Sequence, residues 1–282
     1  MSRIIYVNGS FVSEADAKVS VFDRAFLFAD GVYEVTAVLG GRPLDLDAHL
    51  ARLDRSLAEM QIAPPLTHAE LRALHRELIA RNGVEEGVVY LEITRGVADR
   101  DFLYPADAAP TVVAFTQSRS LLDNPCAVTG VKVITLPDLR WKRRDIKSTS
   151  LLAQTMGKQQ AKLRGAYEAW MVEDGIVTEG TSSTSFILDA EGRLRTQPLG
   201  HHILPGVMRR AVLRLAETEG LNIEERPFTV AEALQAREAF LTAASAFVLP
   251  VVEIDGVAIG NGRPGPIAQA FRRLYIEEAS KA

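Results

Sequence analysis

Lysine is scarce in this 282-residue chain, with seven against 25 arginines. One lysine stands inside a cationic run, Trp141-Lys142-Arg143-Arg144-Asp145-Ile146-Lys147-Ser148-Thr149-Ser150. Such a run reads as a solvated basic turn. It also reads as the setting of a reactive amine. Neighbouring cations and partial desolvation both favour the neutral form of Lys147, which could then attack a carbonyl and form a Schiff base. A second unusual stretch is Val172–Phe186, where Glu179 ends an apparent strand and is followed by Gly180 and a series of hydroxyl residues. It fits an edge loop, or a carboxylate aimed at a cationic ring nitrogen with room for a ligand against the backbone. A third is Ile203-Leu204-Pro205-Gly206-Val207-Met208, a helix start whose unpaired N–H groups could receive a phosphate. Arg52, three residues after His49, could add a guanidinium to that phosphate.

These residues need elements to hold them. Ile4–Val7 and Phe11-Val12 flank Asn8-Gly9, which predicts a hairpin, although Asn8-Gly9-Ser10 also matches a glycosylation acceptor. Strands are expected at Val19–Phe22 and Val32–Leu39, then a helix over His49–Met60 capped by Asp47, with Leu50, Leu53, Leu57 and Met60 at helical spacing. A second helix is expected from Thr67 to Arg81, stopped at Asn82-Gly83, then strands at Val88–Thr94 and Thr111–Phe115. Further on, strands and hairpins turning at Asp174-Gly175 and Asp189–Gly192 alternate with helices at Leu151–Arg164, Val207–Glu219, Val230–Gln235 and Ile267–Ala279. The expected organisation is a smaller N-terminal α/β domain (1–118), a linker (119–130) around Asn124-Pro125, and a larger C-terminal domain (131–282). The fold class is α/β of the α+β type.

With 47% apolar and 24% charged residues, the composition excludes disorder and allows a sizeable core. A net charge of −4 argues against a nucleic-acid partner. The single cysteine, Cys126, excludes an internal disulfide framework and a cysteine metal cluster, and suggests a reducing, cytoplasmic setting. No leader peptide is expected. The longest uncharged stretch, Ala239 to Val252, has 14 residues, short of the roughly 20 that cross a bilayer, and reads as a buried strand. No membrane partner is expected. His201-His202 lack a carboxylate or cysteine at ligand spacing, so no metal is assigned. His68 and His75 are placed on a solvated helix face, and Trp141 and Trp170 in the core or a cleft wall.

Taken in order, the motifs Asp23-Arg24, Phe28-Ala29-Asp30-Gly31-Val32-Tyr33-Glu34-Val35, His49-Leu50-Ala51-Arg52-Leu53, Thr94-Arg95-Gly96, Asp145-Ile146-Lys147-Ser148, Thr178-Glu179-Gly180 and Ile203-Leu204-Pro205-Gly206 run through nearly the whole chain. It resembles the fold-type IV pyridoxal-phosphate enzymes, most closely the D-amino-acid aminotransferases. The resemblance implies two domains with the cofactor, pyridoxal 5'-phosphate, in the cleft between them. It implies ping-pong exchange between an amino donor and a 2-oxo acid, and a homodimer with loops of both subunits lining the site. By position, Lys147 would form the Schiff base and move the proton, and Glu179 would pair with the pyridinium nitrogen. Arg52 would hold the phosphate with backbone donors at Val207 and Met208 and in the turn at Ala244. Leu204 would pack on the ring, while Tyr33 and Arg100 would hold the substrate carboxylate.

The chain departs from that pattern at several positions, Ala29 in Phe28-Ala29-Asp30-Gly31 among them, where the family has glycine. Phe102 stands where the family has a histidine, Met208 and Ala244 replace hydroxyl residues (Ala243 likewise replaces a serine, with Ser245 the remaining hydroxyl), and Asp101 could draw the Arg100 guanidinium aside. Other readings therefore stay open: a branched-chain L-amino-acid or (R)-amine transaminase, or an aminodeoxychorismate lyase.

Overall fold

The computed structural model describes residues 2–281. Contacts divide the chain into two compact units. One holds residues up to Ser120 together with Ile146–Ser150, and the other holds Leu121–Asp145 and Leu151 onward.

In the first unit, β1 (Ile4–Val7) and β2 (Ser10–Ser13) form the hairpin. Asn8 and Gly9 both take positive φ (45° and 91°), as the tight turn favoured by strand twist requires. With β3 (Gly31–Leu39), β4 (Arg42–Pro43), β5 (Glu86–Thr94) and β6 (Thr111–Ser118) they build an antiparallel sheet in the order β2-β1-β6-β5-β3-β4. Two helices, α2 (Leu46–Glu59) and α3 (His68–Asn82), cover one face. Leu50, Leu53, Leu57, Leu71, Leu74 and Leu78 pack there against Val89, Leu91, Ile93 and Val112. Thr67 and Glu70 form a reciprocal capping box for α3, and Gly83 ends it with φ 58°.

Several expectations fail in this unit. Residues 19–22 form no strand, and Val19, Val21 and Phe22 are exposed. A short helix α1 (Arg24–Phe28) follows, capped by the Asp23 carboxylate. Helix α2 begins before Asp47, which points to solvent and pairs with Arg72 instead of capping. His75 is fully buried, its Nδ1 against the Leu71 carbonyl, so the polar-looking face of α3 is partly core.

The second unit is built on a nine-stranded mixed sheet. Its strands are β7 (Val131–Pro137), β8 (Glu168–Glu173), β9 (Ile176–Gly180), β10 (Thr184–Leu188), β11 (Arg193–Thr196), β12 (Asn222–Glu225), β13 (Glu238–Ala243), β14 (Phe247–Ile254) and β15 (Val257–Ala258). The uncharged stretch is buried as two strands, as expected near Ala239–Leu241 and Val251–Ile254, with β13 and β14 antiparallel around Ala244–Ala246. The segment read as a linker carries helix α4 (Pro125–Thr129), capped by Asn124, and Leu121 within it is fully buried. The helices α5 (Leu152–Leu163), α6 (Val207–Thr218), α7 (Val230–Leu234) and α8 (Pro266–Lys281) complete the unit. Trp170 is fully buried against Phe228, whereas Trp141 is nearly half exposed.

Candidate active site

In a strand, consecutive side chains point to opposite faces. Tyr33 and Glu34 on β3 therefore serve different neighbours. Tyr33 joins a half-buried aromatic row with Tyr90 (5.6 Å between centroids) and Phe115 beyond it (4.8 Å). Lys147 lies over the Tyr33 ring, its Nζ 4.2 Å from the centroid. The backbone fixes that pairing: the Tyr33 N–H donates to the Lys147 carbonyl (3.0 Å), the Thr149 N–H donates to Gly31 (3.0 Å), and the Lys147 N–H donates to Ser56 Oγ (3.2 Å). Among the described residues no carboxylate pairs with the Lys147 amine. The cations that precede it are each committed elsewhere, Lys142 and Arg144 to Glu173 and Arg143 to Asp145. What sets Lys147 apart is therefore its seat against an aromatic face, not a crowd of free positive charge.

Glu34 turns the other way, into α2. Its two oxygens accept from Arg52 Nε (2.8 Å) and Nη2 (2.7 Å), and His49 Nδ1 lies 2.7 Å from the second oxygen. The α2 spacing puts His49 and Arg52 one turn apart on the same helix face. All three side chains are buried. Burial alone would raise the Glu34 pKa, but Arg52, through charge and hydrogen bonds, and His49 together hold it far below the usual carboxylate range. The sequence motif contained Glu34 without revealing that it would pair with Arg52 and His49.

In the second unit, Glu179 ends β9 and is buried. Its Oε1 accepts from Arg140, and its Oε2 accepts from the Leu204 N–H (3.2 Å). Burial pushes its pKa up, beyond the lowering by Arg140 and the Leu204 N–H. No sequence pattern flags Arg140. It stands in a loop and is recruited by Asp138, which accepts from its Nε (2.9 Å) and Nη2 (2.7 Å). Helix α6 starts at Val207 with Gly206 at the cap position, and among the described residues no side chain bonds its first N–H groups. Met208 is buried, so it offers only its backbone N–H at the helix start. Helix α6 packs on β13, and Ala244 lies in the turn that leaves that strand. A Cβ at Gly206 would approach Thr184 Oγ1 to 2.8 Å, which is why a glycine sits there.

Arg100 is not joined to Tyr33 or Lys147 by any hydrogen bond among the described residues. Its guanidinium carbon lies over the Phe28 ring at 5.3 Å and over the Phe102 ring at 5.4 Å. Asp101 does not draw it away: the Asp101 carboxylate accepts from the Leu103 N–H, and its carbonyl accepts from Arg24. No cluster of three or more His, Cys, Asp or Glu among the described residues could hold a metal.

The first unit thus offers a buried arginine and an amine with no acidic partner among the described residues, and the second an uncapped helix start and a buried carboxylate; each is a group type that an anionic, carbonyl-bearing ring cofactor needs. The profile of the class IV amino-transferases matches residues 31–254, and the chain belongs to that family of pyridoxal-phosphate-dependent transaminases. Among its relatives, the D-alanine aminotransferase of Bacillus licheniformis is 41% identical over 281 residues, covering 98% of this chain and 99% of that protein. The D-alanine aminotransferase of Staphylococcus aureus (strain MSSA476) is 36% identical over 282 residues, covering 98% and 99%. In structure, the chain resembles the branched-chain aminotransferase of Thermoproteus uzoniensis crystallised with norvaline (TM-score 0.87, 28% identity, 98% of this chain and 94% of that one). The branched-chain amino acid aminotransferase of Escherichia coli shares the fold (TM-score 0.87, 22% identity, 99% and 95%).

Proposed function

We propose that this transaminase moves the amino group of D-amino acids, D-alanine among them, to 2-oxo acids. The observation that carries the reading is Lys147, an amine seated on Tyr33 with no acidic partner among the described residues, in a chain whose full-length relatives are D-alanine aminotransferases. Pyridoxal phosphate, when bound, supplies an electron sink for the bonds at the substrate α-carbon. The chain supplies the rest. With the cofactor bound, Lys147 Nζ would take the α-proton and return it, Arg52 and the N–H groups of Val207 and Met208 would hold the phosphate, and the backbone at Ala244 would assist. Glu179 would pair with the ring nitrogen, and Leu204 would pack on the ring. Tyr33 and Arg100 orient the substrate carboxylate.

The homodimer belongs to this proposal as well. Val19, Val21, Phe22, Phe26, Phe102 and Leu103 are all exposed, Phe26 by 74% and Phe102 by 77%. Their two segments are tied together, Arg24 N–H to the Gly96 carbonyl and Ala98 N–H to the Phe22 carbonyl. An apolar strip of that kind is suited to cover by a second copy. No helix among the described residues is long and apolar enough to cross a membrane. A cytoplasmic location accords with the lone Cys126.

The test is an absorbance titration of the holoenzyme with D-alanine, L-leucine and (R)-1-phenylethylamine, without an acceptor. Conversion of the bound cofactor to its amino form by D-alanine is expected. Conversion by L-leucine or the amine alone would refute the substrate assignment, and silence with all three would refute the transaminase half-reaction as written.

A further inference from the structure

Glu179 is useful to a ring nitrogen only while it is a carboxylate, and its surroundings do not make that automatic. Its side chain is 6% exposed, and burial favours the protonated form. The charged groups that bear on it are Arg140 and, behind it, Asp138 and Arg144, all from the loop that follows β7. Asp138, with a side chain 0% exposed, adds a second negative charge and would oppose ionisation of Glu179. The guanidinium of Arg140 stands between these two acids and bonds both. Asp138 is itself anchored, accepting from Thr178 Oγ1 (2.6 Å) and pairing with Arg144 (3.2 Å), and Arg144 is shared with Glu173 (2.8 Å). Arg140 is therefore aimed rather than tethered loosely. One edge of its fork is held by Asp138, and Nη1 is presented to Glu179 Oε1. With the Leu204 N–H on Oε2, both carboxylate oxygens have fixed directions.

We propose that Arg140 is a positioning residue that keeps Glu179 ionised and oriented toward the cofactor ring nitrogen. Asp138 acts as the anchor that sets its fork. The inference rests on the assignment of Glu179 to the ring nitrogen. Arg140 divides its charge between Asp138 and Glu179, with Arg144 on the far side of Asp138, so the side of Glu179 turned from Arg140 stays attractive to a proton on the ring. Without Arg140, Asp138 would keep Arg144 as its counter-ion, whereas Glu179 would lose the cation bonded to it and face the Asp138 charge alone, and a protonated Glu179 would donate a hydrogen bond where it must accept one.

The experiment compares holoenzymes carrying Arg140→Gln, Arg140→Lys and Glu179→Gln. Glutamine keeps hydrogen bonds to both acids and so protects the fold, while lysine keeps the charge. Arg140→Gln should lower kcat for D-alanine at neutral pH by at least about tenfold with KM little changed, and kcat should climb with rising pH as Glu179 ionises. The absorption of the bound cofactor should shift over the same range. Arg140→Lys should restore a flat profile, and Glu179→Gln should be slow at every pH. A flat profile in Arg140→Gln, or the same climb in Arg140→Lys, would overturn the inference while leaving Glu179 in place. Full activity in Glu179→Gln would instead remove the ring-nitrogen assignment on which it rests.

Discussion

Replacing Glu34 with glutamine tests whether the Glu34–Arg52–His49 cluster is held together by charge. Glu34 accepts two hydrogen bonds from Arg52 and lies against His49; the side chains of Glu34, Arg52 and His49 are 2%, 8% and 2% exposed. Removing one partner of a buried ion pair costs roughly 3–5 kcal/mol, because the other charge is left in low dielectric. Glutamine retains one acceptor but turns an NH2 group toward Arg52 or His49, so about 3 kcal/mol is the expected loss. With a urea dependence of about 3 kcal/mol per molar, the unfolding midpoint of the cofactor-stripped protein should fall by about 1 M at pH 7. The sign of the pH effect follows from the lowered pKa. Stability from Glu34 is fully present above its ordinary value of 4.5 and is lost as pH falls toward its much lower folded value. The gap between wild type and Glu34→Gln should therefore close on acidification below about pH 4.5. A Glu34→Leu/Arg52→Met double variant should lose less than the sum of its single changes. Midpoints within about 0.2 M at pH 7, or a gap that widens in acid, would refute the reasoning.

Other changes probe the chemistry directly. Lys147→Ala should abolish the visible absorption of the bound cofactor and lower turnover by about three orders of magnitude or more, measured as single-turnover conversion of D-alanine; near-normal rates would exclude Lys147 as the amine. Arg100→Ala should weaken kcat/KM for D-alanine by roughly 2–3 kcal/mol while leaving (R)-1-phenylethylamine little affected; an equal loss for both would count against a carboxylate contact. Phe102→His replaces one aromatic support of Arg100 with a hydrogen-bond donor and should lower KM for D-alanine or D-glutamate by a few-fold; no gain would mean that the Phe28–Arg100–Phe102 stack already positions the guanidinium.

Local chemistry in the chain determined much of this protein. Asn8-Gly9 and Asp174-Gly175 supply positive φ at adjacent positions, and each is a hairpin turn. Thr67 and Glu70 announce the start of α3, and Gly83 its end. The leucines of α2 recur at helical spacing because one face must be buried. A helix starting after Pro205-Gly206 was legible for the same reason, since those residues suit a helix boundary.

Tertiary structure decided what no local pattern encodes. Asp47 has the right chemistry for a cap, yet the helix begins earlier and the carboxylate goes to Arg72, because the burial of Ala48, His49 and Leu50 sets where α2 starts. Val19–Phe22 has strand composition but no neighbouring strand to complete its hydrogen bonds. His75 is polar in sequence and core in space. Tyr33 and Glu34 are adjacent residues with separate duties, and only the pleat of β3, with α2 covering one face, sends Glu34 to Arg52 and leaves Tyr33 beneath Lys147. Arg140 lies 39 positions from Glu179, and their pairing exists only because β9 and the loop after β7 bring a cation and a carboxylate into the same dry volume. Spacing along a chain encodes periodicity, whereas electrostatics depends on distance and burial, and those are properties of the fold.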